Sequence, residues 1–201
     1  MRRITFDIEI ADNFSGAMPD PKTLELSLVG IHDSATDEFS SYLKEELPKL
    51  WPILERADIL VGYNSDHFDI PILNKYYPGD LTKIKSIDLL KEVRQVLNRR
   101  LKLDNLAEAT LGRHKIANGL EAVRWWQEGK VEKVREYCLD DVRLTKELYE
   151  YALKHGHLKY RDFSAQGGSA LDRDGGREIK LDTSNWETTN GSSVLTHTLP
   201  F

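Results

Sequence analysis

Asp7 and Glu9 lie two residues apart in an alternating segment, so both carboxylates project from one face of a strand and can converge on one cation. Taken alone, an Asp-x-Glu strand is most often just half-exposed. In GYNSDHFDIPIL, Asn64, Phe68 and Asp69 fall where a buried strand ends and a helix begins, the place where α/β sheets usually build their sites. This segment fits a helix cap and a favourable N-terminal dipole as well as it fits a ligand. In EYCLDDVRLT, Tyr137 and Asp141 are four apart and share one helix face. Asp141 falls in a stripe with Val134, Cys138, Thr145 and Leu148, so it points into the body of the protein. An unpaired carboxylate there calls for a cation or a raised pKa. Asp140, about 100 degrees around the helix, joins the line of Glu136, Arg143 and Glu147 and is expected to be solvated. By spacing alone Tyr137 is a packed aromatic. Cys138 is a small core residue, because no His or second Cys stands beside it at metal-ligand spacing.

Positioning these groups takes an α/β chain. Over residues 3–11, Ile4, Phe6, Ile8 and Ile10 alternate with Thr5, Asp7 and Glu9, which predicts a first strand. Further strands are expected over 24–32 and 39–43, completing a meander. A helix follows over 45–57, with Pro48 and Pro52 near its first turns, and then a short buried strand over 58–63. Helices are predicted over 67–77, over 90–98, from a capping Asp104 to Gly112, over 120–129 and over 130–155, with a strand over 84–89. Beyond His155 the composition shifts to Gly, Ser, Thr, Asn and Asp, with IKLD and VLTHTL as candidate isolated strands. Residues 1–156 are therefore read as one domain and 157–201 as an appendage.

With 201 residues, 40% hydrophobic and 30% charged, the chain suits a globular domain and not a disordered or fibrous one. Its one cysteine makes no internal disulfide, and no apolar run approaches the roughly 18 residues of a spanning helix. Acids stand where a signal peptide needs an apolar stretch, so a soluble cytoplasmic protein without membrane partners is expected. A net charge of -5 argues against a uniform basic field for nucleic acid. Arg94, Arg99, Arg100, Lys102, Arg113 and Lys115 could still line a groove, or be ordinary solvated helix faces.

Taken in order, FDIEI, GYNSDHFD and YCLDD resemble the three exonuclease motifs of the DEDD superfamily in its tyrosine subclass, most of all those of the proofreading domain of B-family DNA polymerases. The resemblance spans roughly residues 3–150. It implies an RNase H-like α/β fold, with a central mixed sheet of about five strands flanked by helices. It also implies that Asp7, Glu9, Asp69 and Asp141 hold two divalent ions, Mg²⁺ or Mn²⁺, while Tyr137 positions the attacking water. The histidine subclass places His five residues before the final acid, where this chain has Glu136. Asn64 and Phe68 are candidate contacts to the terminal nucleotide, and Phe68 equally fits a core position.

The implied activity is that of a 3′-5′ exonuclease releasing nucleotides from the 3′ end of a single strand of DNA or RNA. A structure-selective endonuclease on the same scaffold is one alternative. A non-catalytic nucleic-acid or protein interaction module is another, and the complete acid set argues against it. In-line hydrolysis of a phosphodiester needs a deprotonated water and charge relief on the leaving oxygen, which two ions about 3.5 to 4 Å apart serve at both ends. Without them, each carboxylate pair at about 4 Å repels by about 4 kcal/mol at an effective dielectric near 20. A strained or partly protonated metal-free site is the expectation.

Overall fold

Five strands build the central sheet: β1 (Arg3–Ile10), β2 (Leu26–Asp33), β3 (Glu38–Leu43), β4 (Ile59–Gly62) and β5 (Lys85–Asp88), in the order β3-β2-β1-β4-β5. The computed structural model describes residues 1–12, 19–162 and 176–188. β1 pairs antiparallel with β2 and parallel with β4, while β2–β3 is antiparallel and β4–β5 parallel. This is the meander followed by β-α-β that the pattern predicts. The helices are α1 (Leu47–Leu54), α2 (Asp69–Leu73), α3 (Leu89–Leu97), α4 (Leu103–Leu111), α5 (Gly119–Gln127) and α6 (Val131–His155).

The period of two in β1 sorts its side chains onto different faces. Ile4, Phe6, Ile8 and Ile10 enter a core with Leu50, Trp51 and Leu54 of α1 and Ile70, Ile72 and Leu73 of α2. Across the sheet, Ile59, Val61 and Ile87 pack on Leu106, Leu144, Leu148 and Tyr149 of α4 and α6. Each fully buried leucine, such as Leu50 or Leu148, stabilises the fold by about 1.5 to 3 kcal/mol. Gly30 lets α6 settle on the sheet, because a Cβ there would stand 2.8 Å from Cys138 Sγ. Gly30 is also the partner of Asp7 in the β1–β2 register. Close approach therefore happens at the level of the first acid.

Four local expectations are corrected. The helix expected over 67–77 is helical only in α2, since Lys75 and Tyr76 already bond three residues back and Pro78 bars continuation. The helix expected over 45–57 opens as a 3-10 turn over Lys44–Glu46 and is α-helical only to Leu54. Asp104 does not cap α4, which begins at Leu103; its Oδ1 accepts from the Lys115 amide at 2.9 Å. The strand expected at IKLD is β7 (Arg177–Lys180), and it is not isolated, because it pairs antiparallel with β6 (His157–Tyr160). Beyond it Trp186 stacks on Tyr149, with ring centroids 5.2 Å apart and planes 13° apart. VLTHTL lies outside the described residues. Among the described residues no helix is long and apolar enough to cross a membrane.

Candidate metal centre

Asp7 is half-buried and Glu9 is 6% exposed, in the second half of β1, the central strand of the sheet. The last registered pair of β1 and β4 is Thr5↔Val61, so the chain leaving β4 arrives level with the acids of β1. It turns at once: a Cβ on Gly62 would lie 2.4 Å from the Ser65 side chain. Asn64 follows with φ 65°, a left-handed conformation that asparagine adopts with little strain. Asp69 then opens α2 and is buried. Phe68 is half-buried and packs against the core of α1 and α2.

From the opposite side α6 lowers Tyr137, Cys138 and Asp141, all buried, as the helical stripe predicts. Cys138 Sγ lies 3.4 Å from the Asp7 carbonyl and 3.8 Å from Asp7 Oδ2. Ligand atoms of Asp7, Glu9 and Cys138 lie within 4.8 Å of one another. Lys115, from the connection between α4 and α5, reaches in to place Nζ 2.5 Å from Asp141 Oδ2 and 4.9 Å from the centre of the Tyr137 ring. Trp125 of α5 meets Tyr137 edge to face at 6.4 Å. Asp141 Oδ1 is buried with no hydrogen-bond partner among the described residues.

Burial lifts the Asp7 and Glu9 carboxyls well above the ordinary carboxylate range, and Asp141 and Asp69 push both further while Lys115 opposes. Burial raises Asp69 to about 8, helped by Asp88 and Asp141, while the amides of Asp69 and Ile8 oppose the shift. Asp141 is raised by burial against the pull of Lys115. Burial would lower the Lys115 ammonium, but Asp141, Asp7 and Glu9 outweigh it and the net shift is upward. Burial first, then Asp141, Glu9 and Asp7, raises the Tyr137 phenol, so it stays protonated at neutral pH. The Cys138 thiol is raised by burial and by the same acids, and is therefore a neutral donor to Asp7. Asp7, Glu9 and Asp141 share one electrostatic neighbourhood with Lys115, and Asp69 acts on Asp7 and Glu9 from beside it.

These residues fit a hard divalent cation. The oxygens of Asp7, Glu9, Asp69 and Asp141 are the ligands such an ion prefers, and the unpartnered Asp141 Oδ1 is a buried acceptor in want of a positive partner.

Two acids behave otherwise than their spacing suggests. Asp140 is 6% exposed, not solvated, because Arg113 reaches over from the end of α4 to pair with it at 3.1 Å while also holding Glu147. Asp88, a lone acid in the sequence and the last residue of β5, is 4% exposed. It accepts from the amides of Asn64, Asp66, Leu90 and Lys91 at 2.8 to 3.3 Å. It thus ties the turn after β4 to the start of α3. Lys115 was legible only as one basic residue among six, because a loop contact to a helix 26 positions later leaves no spacing signal.

A mixed five-stranded sheet with helices on both faces and acids on its central strand is the arrangement of an RNase H-like nuclease fold. The family model described as RNase_H superfamily matches residues 5–153, and the chain belongs to that family. A DNA polymerase of Archaeoglobus fulgidus is similar at 25% identity over 170 residues, covering 70% of this chain and 21% of the polymerase. The structure of the family B DNA polymerase from Pyrobaculum calidifontis matches with a TM-score of 0.61 at 21% identity, covering 76% of this chain and 24% of that one. The chain thus spans about a fifth to a quarter of the length of these two relatives.

Proposed function

We propose that this chain is a metal-dependent 3′-5′ exonuclease of the DEDD type, hydrolysing single-stranded DNA or RNA from its 3′ end. The observation that carries the reading is the cluster of Asp7 and Glu9 from β1 against Cys138 of α6, with Asp141 one turn further along α6 acting electrostatically on both acids and keeping one oxygen without a partner among the described residues. Asp69, from the turn after β4, completes the acid set. Support comes also from the similarity to DNA polymerases.

In this reading Asp7, Glu9, Asp69 and Asp141 hold two Mg²⁺ or Mn²⁺ ions. When bound, such a pair supplies Lewis acidity at both ends of an in-line displacement. The protonated Tyr137 phenol, fixed between Trp125 and Lys115, orients the attacking water by hydrogen bonding. Water adds to phosphorus, the bond to the 3′ oxygen of the preceding nucleotide breaks, and that oxygen takes a proton. The products are a 5′-mononucleotide and a strand shorter by one. Asn64 and the exposed part of Phe68 contact the terminal nucleotide. Residues 1–156 form the nuclease domain, residues 157–201 are an appendage to it, and the protein acts in the cytoplasm.

The test is degradation of 5′-labelled single-stranded DNA and RNA with Mg²⁺ or Mn²⁺. A ladder shortening from the 3′ end, abolished in Asp7→Ala and Asp141→Ala, is expected. Cleavage of a circular strand would replace this reading by an endonuclease.

A further inference from the structure

Arg100 lies in the connection between α3 and α4, exposed, and its Nη2 donates to Asn64 Oδ1 at 2.8 Å. The connection is fastened to the end of β4 at the adjoining residue, since the Tyr63 hydroxyl donates to the Leu101 carbonyl at 2.9 Å. The Asn64 backbone is pinned in turn by its own amide, which donates to Asp88 at 2.8 Å. The amide side chain of Asn64 is therefore held by its oxygen, which leaves its NH₂ group to face a ligand. Arg99 and Arg113, in the same basic set, are ion-paired with Asp162 and with Asp140 and Glu147. The partner of Arg100 is neutral, so its charge is not neutralised by that contact.

We infer that Arg100 anchors a backbone phosphate of the bound strand and, through Asn64 Oδ1, turns the Asn64 amide to donate to the same nucleotide. The inference rests on the nuclease reading above. A guanidinium fork beside an amide donor matches the acceptor oxygens of a phosphate. A chain with net charge -5 and an acid cluster repels a phosphate, so a fixed cation at the turn that carries Asp69 places attraction where the strand must enter. Arg100 is thus a binding residue toward the phosphate and a positioning residue toward Asn64.

The experiment measures binding of a 5′-fluorescein single strand to the full chain by anisotropy across a salt series, in an Asp7→Ala background that prevents degradation. Arg100→Ala is expected to weaken binding about five- to tenfold and to make the slope of log K against log salt shallower by about 0.7, the value for one phosphate contact on a single strand. Arg100→Lys should restore the slope but not the full affinity. Asn64→Ala should weaken the parent yet add little to Arg100→Ala. As a control, Lys49→Ala removes an exposed charge from α1 on the other face of the sheet and should leave the slope unchanged. An unchanged slope in Arg100→Ala, or fully additive losses with Asn64→Ala, would overturn the assignment while leaving the nuclease reading intact. Failure of the background protein to bind any single strand would overturn both.

Discussion

Asp88 on one side, and Asp7, Glu9, Asp69 and Asp141 on the other, are acids built on opposite principles. Asp88 is surrounded by four backbone N–H donors, so its charge is solvated by the fold, and the same bonds lock the turn after β4 to α3. Asp7, Glu9 and Asp141 lie within electrostatic reach of one another and of the Lys115 ammonium, Asp69 acts on Asp7 and Glu9, and Asp141 Oδ1 has no hydrogen-bond partner among the described residues. Burial raises both groups. The backbone supplies the compensating dipoles for Asp88; under the proposed function an external cation would supply them for the other four.

The contrast breaks most visibly on substitution. Under the proposed function, Asp141→Ala should lower nucleolytic rate by on the order of 10³-fold or more, because several kcal/mol of transition-state stabilisation would pass through ions that Asp141 helps to hold. Rates on a labelled single strand at saturating Mn²⁺ check this. Asp88→Ala should instead lower stability by about 2 to 4 kcal/mol, since it strands buried N–H groups. Urea unfolding followed by circular dichroism measures it, and an Asp88→Ala protein as stable as its parent would dissolve the distinction.

The dependence on pH sharpens the same point. Asp69 is raised to about 8, and Asp7 and Glu9 are raised well above the ordinary carboxylate range, against unfolded values of about 4. Between those limits the folded chain keeps protons that the unfolded chain has released. Stability of the metal-free protein is therefore greatest below about pH 4, as far as these groups decide it, and falls as pH climbs toward about 8. Mn²⁺ should reverse the trend, because ligands must be deprotonated to bind it. Melting temperatures at pH 5 and pH 8, with EDTA and with Mn²⁺, give the sign directly. The smallest expected effect is that of Lys115→Met. Removing the resident ammonium should tighten Mn²⁺ binding about tenfold by calorimetry, while destabilising the metal-free protein.

Much of this was legible in the sequence, for reasons of period. Alternation put Asp7 and Glu9 on one face of β1, and the four-residue step put Tyr137 and Asp141 on one stripe of α6, so the sheet could be laid out, while joining these acids with Asp69 into one set came from the resemblance. What escaped depends on contacts across loops. The burial of Asp140 requires Arg113 to fold back from the end of α4, and the place of Lys115 requires its amide to be caught by Asp104. Asp88 looked like any acid before a helix, and it does cap α3. Its bonds to Asn64 and Asp66 come from a turn more than twenty residues earlier, a convergence that no local pattern encodes.

β1 is paired along both edges, antiparallel to β2 and parallel to β4, and roofed by α6. Amide hydrogens in such a strand exchange only when the whole chain opens. Fraying at a loop or terminus therefore leaves Asp7 and Glu9 in place, and the strain of crowding acids is borne by the slowest-opening part of the molecule. Ion uptake and loss should then proceed without local unfolding, on a scaffold whose geometry lasts as long as the folded chain itself.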